Sequence, residues 1–278
     1  MFRIGTHLSK RDGYLSMGME AAGLGANTFQ YFTRSPRGSQ EKPMDAADVK
    51  GYKEYAQEHD IAQPLAYAPY DIEPASSKTA QRDFALMVMS QDMTRADEIP
   101  GQNYLVRPGS ALDETKEQGL ANFAQAINAT LHPSQSAKLL ICMQAGEGHQ
   151  LCSTFEEVAR VIDQIELKDH IGVLIDAAAL WGAGYDIAND LDGVLAEFDQ
   201  TIGLDKLMAV HLNDSLEACG SHVDRHARIG EGTISFDALA ALTNEPRLAE
   251  LPFYLEEPHA TLAEYREDVA RFKAARTI

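Results

Sequence analysis

His211-Leu212-Asn213-Asp214, Gly220-Ser221-His222-Val223-Asp224-Arg225-His226 and Gly230-Glu231-Gly232 gather histidines and aspartates around turn-forming glycines. Imidazole nitrogens and carboxylate oxygens spaced over a strand and its loop suit a borderline divalent metal such as zinc. An Asp-Arg-His triplet alone is a solvated loop with a salt bridge. The whole run is far rarer, and it needs a framework that turns its side chains toward one point.

That framework is legible as an alternation. Short apolar runs that predict buried parallel strands lie at Phe2–Leu8, Thr28–Thr33, Gln63–Ala68, Asn103–Arg107, Lys138–Gln144, Gly172–Ala178, Leu207–Asn213 and Pro252–Glu257. Helical stretches are predicted between them over Asp45–His59, Thr79–Ala96, Leu112–Thr130, Thr154–Gln164, Ile187–Ile202, Phe236–Thr243 and Leu262–Ala275. Asp113 and Ser153 stand where N-caps are expected, ahead of acidic first turns. Eight such units in 278 residues predict an α/β fold, a single (β/α)8 TIM barrel over residues 1–278. An open doubly wound sheet is the alternative, but no GxGxxG or P-loop follows any strand.

In a barrel of this kind the active site lies at the C-terminal ends of the strands. Asp176 is late in the sixth strand, His211 late in the seventh and Glu256 at the end of the eighth, with Asp224 and His226 in the loop after the seventh. Two imidazoles and three carboxylates are thus expected at one mouth.

Composition adds bounds. The 45% hydrophobic content supports a large core. No apolar run is long enough for a membrane span. The N-terminus enters a strand-like segment without signal-peptide architecture, so a cytoplasmic location is expected. Cys142, Cys152 and Cys219 form no CxxC pair, which argues against a disulfide framework or a cysteine-based zinc knuckle. A formal charge of −18 disfavours casual nucleic-acid binding, although bound metal ions at a site would add positive charge locally.

From end to end the sequence resembles the endonuclease IV family of DNA-repair enzymes, which cut DNA beside abasic sites using three zinc ions. The resemblance rests on ordered segments: Ile4-Gly5-Thr6-His7-Leu8-Ser9, Asn27-Thr28-Phe29-Gln30-Tyr31-Phe32-Thr33-Arg34 with Pro36-Arg37-Gly38, Ala68-Pro69-Tyr70, Pro108-Gly109-Ser110, Ala145-Gly146-Glu147-Gly148, Ile175-Asp176, Gly182-Ala183-Gly184-Tyr185-Asp186 and Leu255-Glu256. It implies abasic duplex DNA as partner, a monomer, and Asp176, His211, Asp224, His226 and Glu256 as retained metal ligands, with Asp176 and Glu256 as catalytic groups. Arg37 and Tyr70 fall where the family places residues that enter the minor groove at a flipped-out abasic nucleotide.

The resemblance also marks departures. Tyr67 and Arg107 stand where the family has histidines, Cys142 where it has a zinc-bridging glutamate, and Ala179 where it has a further histidine. Every protein ligand of the first family zinc is therefore replaced, one of them by a permanent cation that repels metal. Asp176, His211 and Glu256 remain for a second ion, with Cys142 as a soft fourth group, and Asp224 and His226 for a third. Zero to two zinc ions are expected instead of three. Arg107 can pair with Asp176 or Glu256 or meet a phosphate, but it cannot generate hydroxide. His7 is expected to hydrogen-bond behind the ligands, His222 to be an exposed loop residue, and Trp181 to pack beside Gly182-Ala183-Gly184. Three readings stay open: an endonuclease IV-like protein impaired or inactive in catalysis, an active phosphodiesterase with one or two zinc ions, and a single-metal sugar isomerase or epimerase, which lacks a second glutamate at Cys142.

Overall fold

The computed structural model describes residues 1–34, 43–99, 101–256, 258 and 261–278. Eight parallel strands close into a barrel: β1 (Arg3–Leu8), β2 (Thr28–Phe32), β3 (Leu65–Tyr67), β4 (Asn103–Val106), β5 (Leu139–Cys142), β6 (Ile171–Asp176), β7 (Leu207–His211) and β10 (Pro252–Leu255), the last pairing with both β7 and β1. The helices are α1 (Tyr14–Gly23), α2 (Ala46–Glu58), α3 (Thr79–Ala96), α4 (Lys116–Thr130), α5 (Phe155–Asp163), α6 (Ala177–Ala183), α7 (Leu191–Thr201), α8 (Phe236–Thr243) and α9 (Leu262–Ala275). The predicted (β/α)8 barrel is the observed fold. Among the described residues no helix is long and apolar enough to cross a membrane.

Side chains alternate across each strand with a period of two, which sorts them into two cores. Leu65, Tyr67, Leu105, Leu140, Cys142, Leu174, Ala209 and Tyr254 fill the barrel interior. Ile4, Leu8, Ala66, Tyr104, Val106, Ile141, Val173, Ile175, Val210 and Leu255 face the helices. Continuing the inward register one step places Arg107, Asp176, His211 and Glu256 at the C-terminal mouth, above the apolar plug. Strand pairing sets their heights, since Asp176 lies beside His211 in the β6–β7 register.

β1 and β2 approach closely at Gly5, where a methyl group would sit 2.4 Å from the Thr28 carbonyl oxygen. Past the end of β2, a buried polar knot joins strand to helix. Asp92 of α3 accepts from Thr33 Oγ1 at 2.6 Å, Arg34 Nε at 2.9 Å and Tyr104 OH at 3.2 Å. Arg34 also donates to Gln91 Oε1 at 2.8 Å.

Several local expectations are corrected. The N-caps are Thr115 and Thr154, whose hydroxyls accept from Gln118 N and Glu157 N, not Asp113 and Ser153. The sixth strand stops at Asp176 because its carboxylate caps α6 by accepting from Ala178 N and Ala179 N. α1 and α6 lie outside the helical stretches named from the sequence, each following its strand as eight strand-helix units require. The stretch carrying Asp224 and His226 is not all loop: β8 (Asp214–Ser215) pairs antiparallel with β9 (His226–Ala227).

Candidate active site

Asp176 anchors the site from the last position of β6. Its Oδ1 accepts the two α6 amides at 2.9 and 3.3 Å, and its Oδ2 faces Asn213 Nδ2 at 2.7 Å and His211 Nδ1 at 3.1 Å. His211 is engaged at its other ring nitrogen too, with Nε2 2.6 Å from Gln30 Oε1. Gln30 then extends its amide nitrogen to His7 Nδ1 at 3.2 Å. Burial opposes ionisation of Asp176, but the His211 contact, the positive His226 and the Asn213 amide outweigh it and hold the carboxyl well below its usual range.

Glu256 sits one residue past β10, and its amide donates to Asn213 Oδ1 at 2.9 Å. Its Oε1 accepts the Tyr70 hydroxyl and lies 3.8 Å from His7, while Oε2 is 3.7 Å from His211. Burial raises its pKa, yet His7, His211, Arg107 and the Tyr70 hydroxyl together bring it below the ordinary value. His7 therefore stands behind the carboxylate as expected.

A two-residue ribbon delivers the other pair. The buried Asp214 carboxylate accepts from the backbone amides of Ser215, Gly230, Gly232 and Ile234 at 2.8 to 3.1 Å, which folds the loop back on itself. His226 Nδ1–H donates to the Glu256 carbonyl at 2.8 Å, so Nε2 faces Asp224 Oδ1 at 3.2 Å and Asp176 Oδ2 at 3.8 Å. Burial works against the imidazolium, but Asp224, Asp176 and Glu256 override it and push the pKa up to about 10.

Arg107 crosses the mouth from the end of β4. Its Nε donates to Tyr67 OH at 2.7 Å, its guanidinium lies 4.3 Å over the Tyr70 ring, and Nη2 is 3.8 Å from Asp224 Oδ2. The expected pairing with Asp176 or Glu256 is corrected to this longer contact with Asp224. Below it, Cys142 Sγ lies 3.9 Å from Tyr67 OH and 3.6 Å from the Met143 carbonyl. Burial, with Asp176 and Glu256 nearby, pushes the thiol up to about 12 despite Arg107. Phe32, Tyr67 and Tyr70 form an aromatic wall on this side, with ring centres 4.8 to 5.4 Å apart.

Asp176, His211, Asp224, His226 and Glu256 are thus brought together, joined by Arg107, Tyr67, Tyr70 and Cys142. Ala179 is buried in the first turn of α6, where its amide serves Asp176. Arg37 lies outside the described residues. His222 is exposed and donates Nδ1–H to the Ala145 carbonyl, and Trp181 packs with its indole N–H on the Glu217 carbonyl and the Thr233 hydroxyl. Sequence reasoning missed two residues, Gln30 and Asn213. Each is a polar side chain held completely buried, and Gln30 interrupts the apolar run Thr28-Phe29-Gln30-Tyr31-Phe32 at an inward position.

Residues 19–275 match the family described as xylose isomerase-like TIM barrel. "Probable endonuclease 4" of Clostridium botulinum strain Alaska E43 is 44% identical over 275 residues, covering 99% of each chain. The chain belongs to the endonuclease IV family. A second "Probable endonuclease 4", from Alkaliphilus oremlandii strain OhILAs, is also 44% identical, over 93% of this chain and 92% of its own. Among solved structures, endonuclease IV from Thermus thermophilus superposes with a TM-score of 0.87 at 28% identity, covering 98% of each chain. A D-tagatose 3-epimerase-like protein has a TM-score of 0.71 at 15% identity over 98% of this chain, which shows a shared barrel only.

The residues do not fit the trinuclear zinc centre that the endonuclease IV resemblance implies. Its first position is lined by a buried phenol, a guanidinium and a protonated thiol, none of which suits a cation. At the second, Asp176, His211 and Glu256 are all present, with His211 facing Asp176 and Gln30 through its two ring nitrogens. At the third, Ala179 offers no imidazole. Among the described residues no three His, Cys, Asp or Glu side chains form a group able to hold a metal ion. Asp224 Oδ1, His226 Nε2 and Glu256 Oε2 are nevertheless buried without well-aligned hydrogen-bond partners, which leaves a small polar cradle between them.

Proposed function

We propose that this chain is an endonuclease IV-like protein that engages abasic-site duplex DNA but is severely impaired or inactive in hydrolysing its phosphodiester bonds. The observation that carries the reading is Arg107, held by Tyr67, Tyr70 and Asp224 where the resemblance expects metal ligands. Hydrolysis at multi-metal centres needs a metal-activated hydroxide and cations on the phosphorus-bound oxygens. A guanidinium supplies charge but no vacant orbital, so it cannot acidify water. The resemblance assigns Asp176 and Glu256 as catalytic carboxylates and Tyr70 and Arg37 as DNA-contacting residues. Every proposed group comes from one barrel, so a monomer is the proposed working unit, in the cytoplasm.

A second reading has one observation in its favour. Asp224 Oδ1, His226 Nε2 and Glu256 Oε2, buried without well-aligned hydrogen bonds, could close around one zinc ion, with Asp176 and His211 as neighbours, giving a phosphodiesterase with one or two metals. No comparable feature favours a sugar isomerase or epimerase.

Cleavage of an abasic-site duplex separates the two. The impaired reading predicts a rate at least about a thousandfold below that of the Thermus thermophilus enzyme, since the lost terms amount to several kcal/mol and each ~1.4 kcal/mol is tenfold. An equal rate that disappears in Glu256→Gln would establish the reduced-metal reading and end the impaired one.

A further inference from the structure

We infer that Arg107 is an oxyanion-binding group whose guanidinium takes a phosphate oxygen of duplex DNA without a metal ion. The inference rests on the DNA reading above and names the group that would hold the backbone.

Arg107 has five N–H donors in a planar fork. Nε is spent on Tyr67 OH, and the Tyr70 ring lies beneath the guanidinium face, so the plane is fixed. Among the described residues no carboxylate oxygen lies within hydrogen-bond distance of the fork. Among them the nearest is Asp224 Oδ2, 3.8 Å from Nη2. A guanidinium that served only to neutralise the carboxylates would close bidentate on one of them. This one makes no such pair among the described residues, and its side chain remains 28% exposed at the barrel mouth.

A phosphate suits what is left open. Two parallel N–H···O bonds from a pre-oriented fork match its geometry, and the ordering cost has already been met by Tyr67 and Tyr70. Tyr67 is completely buried in the barrel interior, which makes the Nε anchor rigid. Phosphate entry would replace only the long contact to Asp224. With a net charge of −18 on the chain, a fixed local cation is what lets a polyanion approach this mouth.

The test uses the full chain in EDTA with a duplex carrying a tetrahydrofuran abasic analogue, followed by fluorescence anisotropy across a salt series. The parent should bind, and Arg107→Gln should weaken binding about tenfold or more and lower the slope of log K against log salt by about one. Arg107→Lys should keep the slope and lose part of the affinity, because a point charge cannot fork. Inorganic phosphate is the second probe: it should raise the melting temperature of the parent and not of Arg107→Gln. If Arg107→Gln matches the parent in duplex affinity, salt slope and stabilisation by phosphate, the inference is overturned. If the parent fails to bind duplex at any salt but phosphate stabilises it through Arg107, the oxyanion site stands and the DNA reading falls.

Discussion

Replacing Tyr67→His, Arg107→His, Cys142→Glu and Ala179→His together should convert the chain into a zinc-dependent nuclease, raising abasic-site cleavage on the order of a hundredfold to a thousandfold. The five other candidate ligands, Asp176, His211, Asp224, His226 and Glu256, already converge at the mouth, and Tyr70 already reaches Glu256. Stability gives an independent readout. Cys142 lies in the apolar barrel plug with Leu105, Leu140 and Leu174, so a glutamate there is costly until a cation pairs with it. The restored variant should melt below the parent in EDTA and gain several degrees when zinc is added, while the parent shifts little. Glu256→Gln in the restored background controls for contaminating nuclease. A restored variant that binds three zinc ions yet cleaves no faster than the parent would show that these substitutions are not what limits the reaction.

The largest stability effect is expected far from the mouth. Asp92→Ala should cost about 3–5 kcal/mol in urea unfolding, because it breaks a buried ion pair from one side. The Asp92 side chain is fully buried and that of Arg34 is 1% exposed, so solvent cannot take over the lost contact. Thr33 and Tyr104 lose their acceptor in the same step. The knot ties the end of β2 and a residue of β4 to α3, so its loss should loosen the strand that carries Gln30. A cost below ~1 kcal/mol would mean that the surroundings re-pair without Asp92.

The convergence of Asp176, His211 and Glu256 was legible because it follows from two regularities, inward-outward alternation and the placement of polar residues at strand ends. The extent of β6 was not. Gly172–Ala178 is one continuous apolar run apart from Asp176, and periodicity cannot separate a buried strand from the short helix that follows it. Only the capping geometry of Asp176 ends the strand there. Arg107 was readable as a misplaced cation but not its partner, since Asp224 reaches it through a loop folded by Asp214 and the β8–β9 pairing. Gln30 and Asn213 lie inside quoted segments, but nothing in the spacing assigns either a role. Their roles exist only once β2 and β6 stand on either side of the His211 imidazole, with Gln30 on its Nε2 and Asn213 on the Asp176 carboxylate at its Nδ1.

The central claim is that a guanidinium holds the place of the first family metal. Anomalous diffraction above the zinc absorption edge, on crystals soaked in zinc, tests it most directly. The account predicts no peak within bonding distance of Tyr67 OH and Cys142 Sγ, with Arg107 remaining on Tyr67. A well-occupied zinc ion between those atoms, with the Arg107 side chain swung out of the mouth, would contradict it.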